Sequence, residues 1–121
     1  MNSKKTVVIG ATTNPSRYAY IAANRLVEHG HDIVPIGIKK GKVAGKNILN
    51  DKPSIEGVDT VTLYVGPTNQ EEYYDYVVKL KPNRVVFNPG TENQEFEKLL
   101  ENENIEVIQA CTLVMLSANT Y

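Results

Sequence analysis

Tryptophan is absent from this 121-residue chain, and Cys111 is its single cysteine. One thiol excludes any intramolecular disulfide and any multi-cysteine metal site. Histidine is scarce too: His29 and His31 are the only two, too few for a closed metal site. Charge of one sign is missing, since 13 basic and 14 acidic residues leave a net charge of -1. Such a balance gives no reason to expect nucleic acid or an anionic membrane as partner. Any anion must be caught by local geometry. Long apolar runs are lacking as well. The first one, TVVIG, is too short for a signal-peptide core or a membrane span, so a cytoplasmic protein is expected.

What remains is ordinary for a globular protein: 41% hydrophobic and 22% charged residues. The length fits one domain over 1–121, with no repeats or linkers, and lets the chain bury roughly two-thirds of its unfolded surface. Short β-rich runs alternate with helical periodicity. Strands are expected at 6–10, 32–38, 58–65, 84–87 and 105–108. Pro35 inside the second points to an edge position. Helices are expected at 17–29, closed by Gly30, at 68–80 with Thr68 as N-cap, and at 93–102. Residues 39–56 show no long periodic element, only a short helical turn near Pro53, and 109–121 reads as a tail. This alternation implies an α/β fold: a Rossmann-like, doubly wound, mainly parallel five-stranded sheet with helices on both faces.

In open α/β sheets the ligand sits beyond the carboxyl ends of the strands. That rule selects the loops at 10–17, 37–46, 65–70, 88–92 and 109–112. In the first, Gly10 allows a sharp turn, Thr12, Thr13 and Asn14 bring polar side chains, and Pro15 suits a helix start. The helix N-terminus with Arg17 suits a phosphate, though a plain strand-to-helix turn explains the same letters. The dinucleotide fingerprint G-x-G-x-x-G is not met, because Thr12 and Pro15 stand at the later glycine positions. The acidic residue that would hold an NAD ribose is missing too. Lys39, Lys40, Lys42 and Lys46 follow the second strand instead. They suit an extra phosphate on an adenosine ribose, as in coenzyme A or NADP, or form a solvated loop. Gly66-Pro67-Thr68 and Asn88-Pro89-Gly90-Thr91-Glu92 add small, polar residues to the same edge.

Taken in order, V-I-G-A-T-x-N-P, H-G-H-D-I-V-P-I, A-G-K, V-D-T-V, N-P-G-T-E and Cys111 carry a family resemblance over nearly the whole chain. It resembles the small stand-alone CoA-binding proteins related to the nucleotide-binding domain of the succinyl-CoA synthetase α subunit. The resemblance implies a Rossmann-like fold with coenzyme A or an acyl-CoA on the carboxyl edge. By matching position, Gly10, Ala11, Thr12, Thr13, Asn14, Pro15 and Arg17 would cradle the pyrophosphate. Ile36, Gly37, Ile38 and Lys39 would lie against the adenosine and its extra phosphate. Val65, Gly66 and Pro67 would border the nucleotide or pantetheine arm, with Asn88, Pro89 and Gly90 nearby. Two departures stand out. The family's V-N-P after the second strand is Ile36-Gly37-Ile38 here, and Thr12 replaces the usual serine. The synthetase's phosphorylated histidine has no counterpart.

No catalytic or metal-binding residues are expected. There is no G-x-S-x-G elbow and no Ser-His-acid order, and both histidines fall on the opposite edge in structural positions. Cys111 approaches the binding edge, where a reactive thiolate is one reading and a buried structural thiol the other. Tyr73, Tyr74 and Tyr76 read as a helix face, and Glu71, Glu72 and Asp75 as its solvated side. The expectation is a non-catalytic module, whether sensor, carrier or accessory subunit. A protein partner or homo-oligomer is left open. The alternatives are an NADP-linked or CoA-ligase-type component needing another chain, and a degenerate interaction module without ligand.

Overall fold

The computed structural model describes residues 3–121. Strands β1 (Thr6–Ile9), β2 (Ile33–Ile36), β5 (Thr60–Leu63), β6 (Arg84–Phe87) and β7 (Glu106–Gln109) form one sheet in the order β2-β1-β5-β6-β7. All four pairings are parallel. Between them lie helices α1 (Tyr18–Glu28), α2 (Tyr74–Leu80) and α3 (Gln94–Asn102), as the alternating pattern requires. The fold is a Rossmann-like α/β sheet, as expected.

Each strand exposes two faces to different helices, because successive side chains alternate. Val7, Ile9, Val61, Leu63, Val85 and Phe87 pack with Tyr73, Val77, Leu80, Phe96 and Leu100 of the α2 and α3 side. The opposite face carries Val8 and Val86, packed against Ala23 and Leu26 of α1 and against Met115 and Leu116. It also carries buried Thr6, Thr60, Thr62, Arg84 and Asn88. Across β2, β1, β5 and β6 one face is therefore apolar, with Gln109 of β7 at its rim, and the other is striped with polar groups.

Pro35 sits on an edge strand, as its ring demands. Its carbonyl accepts from Leu49 N–H at 2.9 Å, outward from the sheet, so its missing N–H also falls on the outer side. After α1, Gly30 N–H reaches Val27 O and His31 N–H reaches Leu26 O, both at 2.9 Å, which closes the helix as a Schellman motif.

Four local expectations need correction. The Lys-rich stretch holds an antiparallel hairpin, β3 (Lys42–Val43) with β4 (Lys46–Asn47). Its two-residue strands are too short to show any periodicity. Around Pro53 the chain is irregular, and Tyr76 Oη donates to Pro53 O at 2.8 Å. Residues 68–80 are not one helix: short 3-10 turns at Pro67–Asn69 and Glu71–Tyr73 precede α2, and Thr68 is no N-cap. The presumed tail contains α4 (Thr112–Ser117) and ends in buried Tyr121.

That last segment is sewn to the polar face at both ends. Thr112 Oγ1 bonds Thr62 Oγ1 at 2.8 Å, and its N–H donates to Asn88 Oδ1 at 2.9 Å. At the far end the Tyr121 hydroxyl meets Thr6 Oγ1 at 2.6 Å. Arg84 donates to Thr60 Oγ1 at 2.8 Å and to Tyr121 O at 3.1 Å, with its guanidinium 4.5 Å from the tyrosine ring. Lys4 Nζ adds a bond to the same carbonyl. A buried arginine with these partners is satisfied.

Candidate functional site

Strand order reverses between β1 and β5, so the carboxyl ends of these strands mark the topological switch point. The first loop leaves β1 there. Gly10, at φ +96°, lies so close to β5 that a Cβ would stand 2.8 Å from Tyr64 O. The Gly10 and Ala11 N–H groups both donate to Ile36 O, at 2.9 and 3.0 Å. Ala11 and Thr12 are buried, whereas Thr13, Asn14, Pro15 and Arg17 are exposed. Thr12 Oγ1 accepts from Asn14 N–H at 3.1 Å, and Asn14 Oδ1 accepts from Ser16 N–H and Oγ at 3.0 and 2.8 Å. Those side chains hold the loop's shape. Arg17 is the N-cap of α1 and no side chain caps that helix; Tyr20 N–H bonds back to Arg17 O at 3.1 Å, which leaves the Tyr18 and Ala19 N–H groups and the dipole end open to an anion.

The second loop closes onto the first. Ile36 contributes its carbonyl, its side chain being buried in the core. A Cβ on Gly37 would stand 2.7 Å from Ala11 O, and one on Gly41 would stand 2.8 Å from Thr13 Cγ2. Ile38 is 82% exposed, and Lys39 and Lys40 are exposed beside it. The four lysines do not act as one patch. Lys46 turns back to Asp32, just before β2, with Nζ 3.6 Å from Oδ1, while Lys42 lies opposite Asn47 in the hairpin. Only Lys39 and Lys40 lie between the two glycine contacts.

The third and fourth loops are joined to each other. Gln70 is fully buried, and its amide donates to Val65 O at 2.9 Å and to Thr91 O at 2.7 Å. Asn93 Nδ2 donates to Gln70 Oε1 at 2.9 Å and to the Tyr74 hydroxyl at 2.9 Å. Gly66, Pro67, Pro89 and Gly90 are exposed and Val65 half-buried. Asn88 is only 2% exposed. Its amide donates to Thr62 Oγ1 at 2.7 Å and Leu63 O at 2.8 Å, and its Oδ1 takes the Thr112 N–H. No part of its side chain is offered to the edge. Glu92 accepts from Gly90 N–H at 2.9 Å and places a carboxylate at this end.

Cys111 is half-buried and free, at the start of α4. Nearby, Tyr64 holds the only buried side-chain polar atom without a hydrogen-bond partner among the described residues. Burial pushes its pKa up to about 12, so the hydroxyl stays protonated. The histidines sit at the other edge, as expected. His29 Nδ1 bonds Arg25 O at 2.8 Å, and His31 Nδ1 accepts from Lys4 N–H at 3.0 Å while its ring lies 4.9 Å from that of Tyr121.

Two surface concavities lie off this edge. One, of about 370 Å³, runs along α1 from Pro15 to Glu28. The other, of about 490 Å³, separates Lys52–Glu56 from α2. The carboxyl edge is an open shelf, suited to an elongated ligand laid across loops. Sequence reasoning missed Asn50, Gln70 and Tyr64. Gln70 and Asn50 act on partners many residues away, and nothing in their neighbours signals it.

The architecture is shared with known structures. A crystal structure of an uncharacterised protein matches at 57% identity over 100% of both chains, with a TM-score of 0.98. A Thermus thermophilus protein, cell-free ID.343, matches at 25% identity over 98% of this chain and 91% of that one, with a TM-score of 0.87. A hypothetical protein from Pyrococcus horikoshii OT3 matches at 27% identity over 97% and 84%, with a TM-score of 0.85. No curated protein matches. The sequence pattern of the CoA binding domain fits residues 4–117, from just before β1 to the end of α4 and so across every loop of the shelf. By that match the chain belongs to the CoA-binding domain family.

Proposed function

We propose that this protein binds coenzyme A or an acyl-CoA on the carboxyl edge as one domain over 1–121, without catalysing a reaction. The observation that carries the reading is the meeting of the first two loops at the switch point, Gly37 on Ala11 and Gly41 on Thr13. It brings the loop that carries Lys39 and Lys40 against the loop that leads to Arg17 and the uncapped start of α1, an arrangement that suits a pyrophosphate and a ribose phosphate of one ligand. In this reading the Thr12 and Thr13 N–H groups and Arg17 cradle the pyrophosphate, on a loop 10–17 whose other N–H groups hold its own shape. Exposed Ile38 offers an apolar contact to the adenine, and Lys39 meets the extra phosphate. Val65, Gly66 and Pro67 border the pantetheine arm, which runs toward Pro89 and Gly90. The Glu92 carboxylate repels phosphate at that end and so favours the uncharged arm there. Asn88 and Ile36 serve by holding the loops' backbone.

The chemistry of the edge is that of retention. Arg17, Lys39 and Lys40 bring positive charge, Glu92 is engaged with Gly90 N–H, and Tyr64 keeps its proton throughout the physiological range. A sensor, carrier or accessory subunit fits this chemistry. Calorimetric titration with CoA, dephospho-CoA and NADP tests it. CoA binding that weakens without the 3′-phosphate and falls at least tenfold in Arg17→Ala is expected. NADP binding in place of CoA overturns it, and silence from all three ligands leaves an interaction module instead.

A further inference from the structure

We propose that Asn50 is a positioning residue that sets selectivity for the ribose phosphate of the ligand by fixing the backbone beneath Lys39. The inference rests on the CoA-binding reading above and extends it to a residue outside the expected loop set. Ile36-Gly37-Ile38 has neither an amide side chain nor a proline to stiffen the turn. Asn50 supplies an amide from outside. Its Nδ2 donates to Gly37 O at 2.7 Å and to Lys39 O at 2.8 Å. Both hydrogens of one amide on carbonyls two residues apart leave the turn a single geometry. Asn50 itself is delivered by anchored backbone. Leu49 N–H donates to Pro35 O at 2.9 Å, and Leu49 O accepts from Gly37 N–H at 3.1 Å.

The 37–41 segment is thereby held at three points. Gly37 rests on Ala11, Gly41 rests on Thr13, and Asn50 grips the middle. Lys39 and Lys40 lie inside this span and have no ion-pair partner among the described residues. A lysine side chain is a long, flexible point charge whose reach depends on where its backbone is fixed. With the clamp in place, an ammonium group is available within the span beside the first loop. Without it, the ammonium samples solvent and the phosphate loses its counter-charge, while the pyrophosphate contacts of 10–17 persist.

The test is a double-mutant cycle in binding. CoA and dephospho-CoA are titrated into wild type, Asn50→Ala, Lys39→Ala and the double variant, with thermal melting as a folding control. Asn50→Ala is expected to weaken CoA about tenfold and to leave dephospho-CoA within twofold. The double variant is expected to be no weaker than Lys39→Ala alone, since the clamp acts through that lysine. Asn50→Leu, which keeps the size and branching but loses the N–H donors and adds no charge, should lose the same selectivity and serves if the alanine variant folds poorly. Equal losses on both ligands, no loss, or additive losses in the cycle overturn the role of Asn50 while CoA binding stands. Wild-type protein that ignores CoA overturns the binding reading and this inference together.

Discussion

Asn88 shows how a loop residue beside a binding edge can be entirely structural. Its three hydrogen bonds join β5, β6 and the start of α4 in a buried network. Truncation orphans the Thr112 N–H and weakens the hold on Thr62, and an unsatisfied buried group costs about 1–3 kcal/mol. Asn88→Ala should therefore lower urea-unfolding stability by roughly 2 kcal/mol or more, with a smaller effect on CoA affinity than Arg17→Ala. Tyr64 is the converse case. Its hydroxyl is buried with no partner, so Tyr64→Phe should raise stability by about 1 kcal/mol in the same assay. Neither role is visible in sequence. The letters N-P-G-T-E announce a turn on the edge, but the partners of Asn88 lie 24 to 26 residues away. Asn50 and Gln70 are hidden for the same reason: their chemistry is set by contacts across the fold.

Elements were more legible than residues. The runs TVVI, IVPI, TVTL, RVVF and EVIQ are rich in β-branched residues and bounded by turn letters, so five strands follow from local pattern alone. The hairpin of β3 and β4 and the six-residue α4 escaped because both are too short for their pattern to repeat. The contact of the second loop, which leads from β2 into that hairpin, with the first loop depends on glycine at 37. Its backbone touch with Ala11 leaves no room for a methyl group. Gly37→Ala should cost about 1–3 kcal/mol and weaken CoA more than Asn88→Ala does, measured by unfolding and calorimetry side by side. At the opposite end of β2, His31 ties the chain before β1 to Tyr121. Burial, followed by Lys4, His29 and Arg84, lowers its pKa from 6.5, and Asp59 opposes them. The unfolded chain thus takes up the proton first as pH falls. Its contribution to stability is complete above 6.5 and declines as pH drops through that value toward the folded one. The urea midpoint should be lower at pH 5.5 than at 7.5, and His31→Gln should show a smaller difference.

At the scale of the whole molecule, four of the five edge loops are tied in pairs, the first with the second and the third with the fourth. A ligand lying across the switch point bridges the two pairs and binds only the folded chain. At a hundredfold excess over its Kd, CoA should add about 2.7 kcal/mol of stability, read as a rise in melting temperature that dephospho-CoA reproduces less well. The sheet itself has a further property, rooted in its two unlike faces. Between β5 and β6 the face toward α2 and α3 is uniformly oily, so it rewards collapse in many alignments of these strands. Thr60 with Arg84 and Thr62 with Asn88 are a stricter matter, since each pair must meet across β5 and β6 to be satisfied. A slip of one residue would turn the arginine and the asparagine into the oily layer and the valines out of it. The polar stripe thus works as a proofreading mark for β5 against β6, penalising any slip by an odd number of residues.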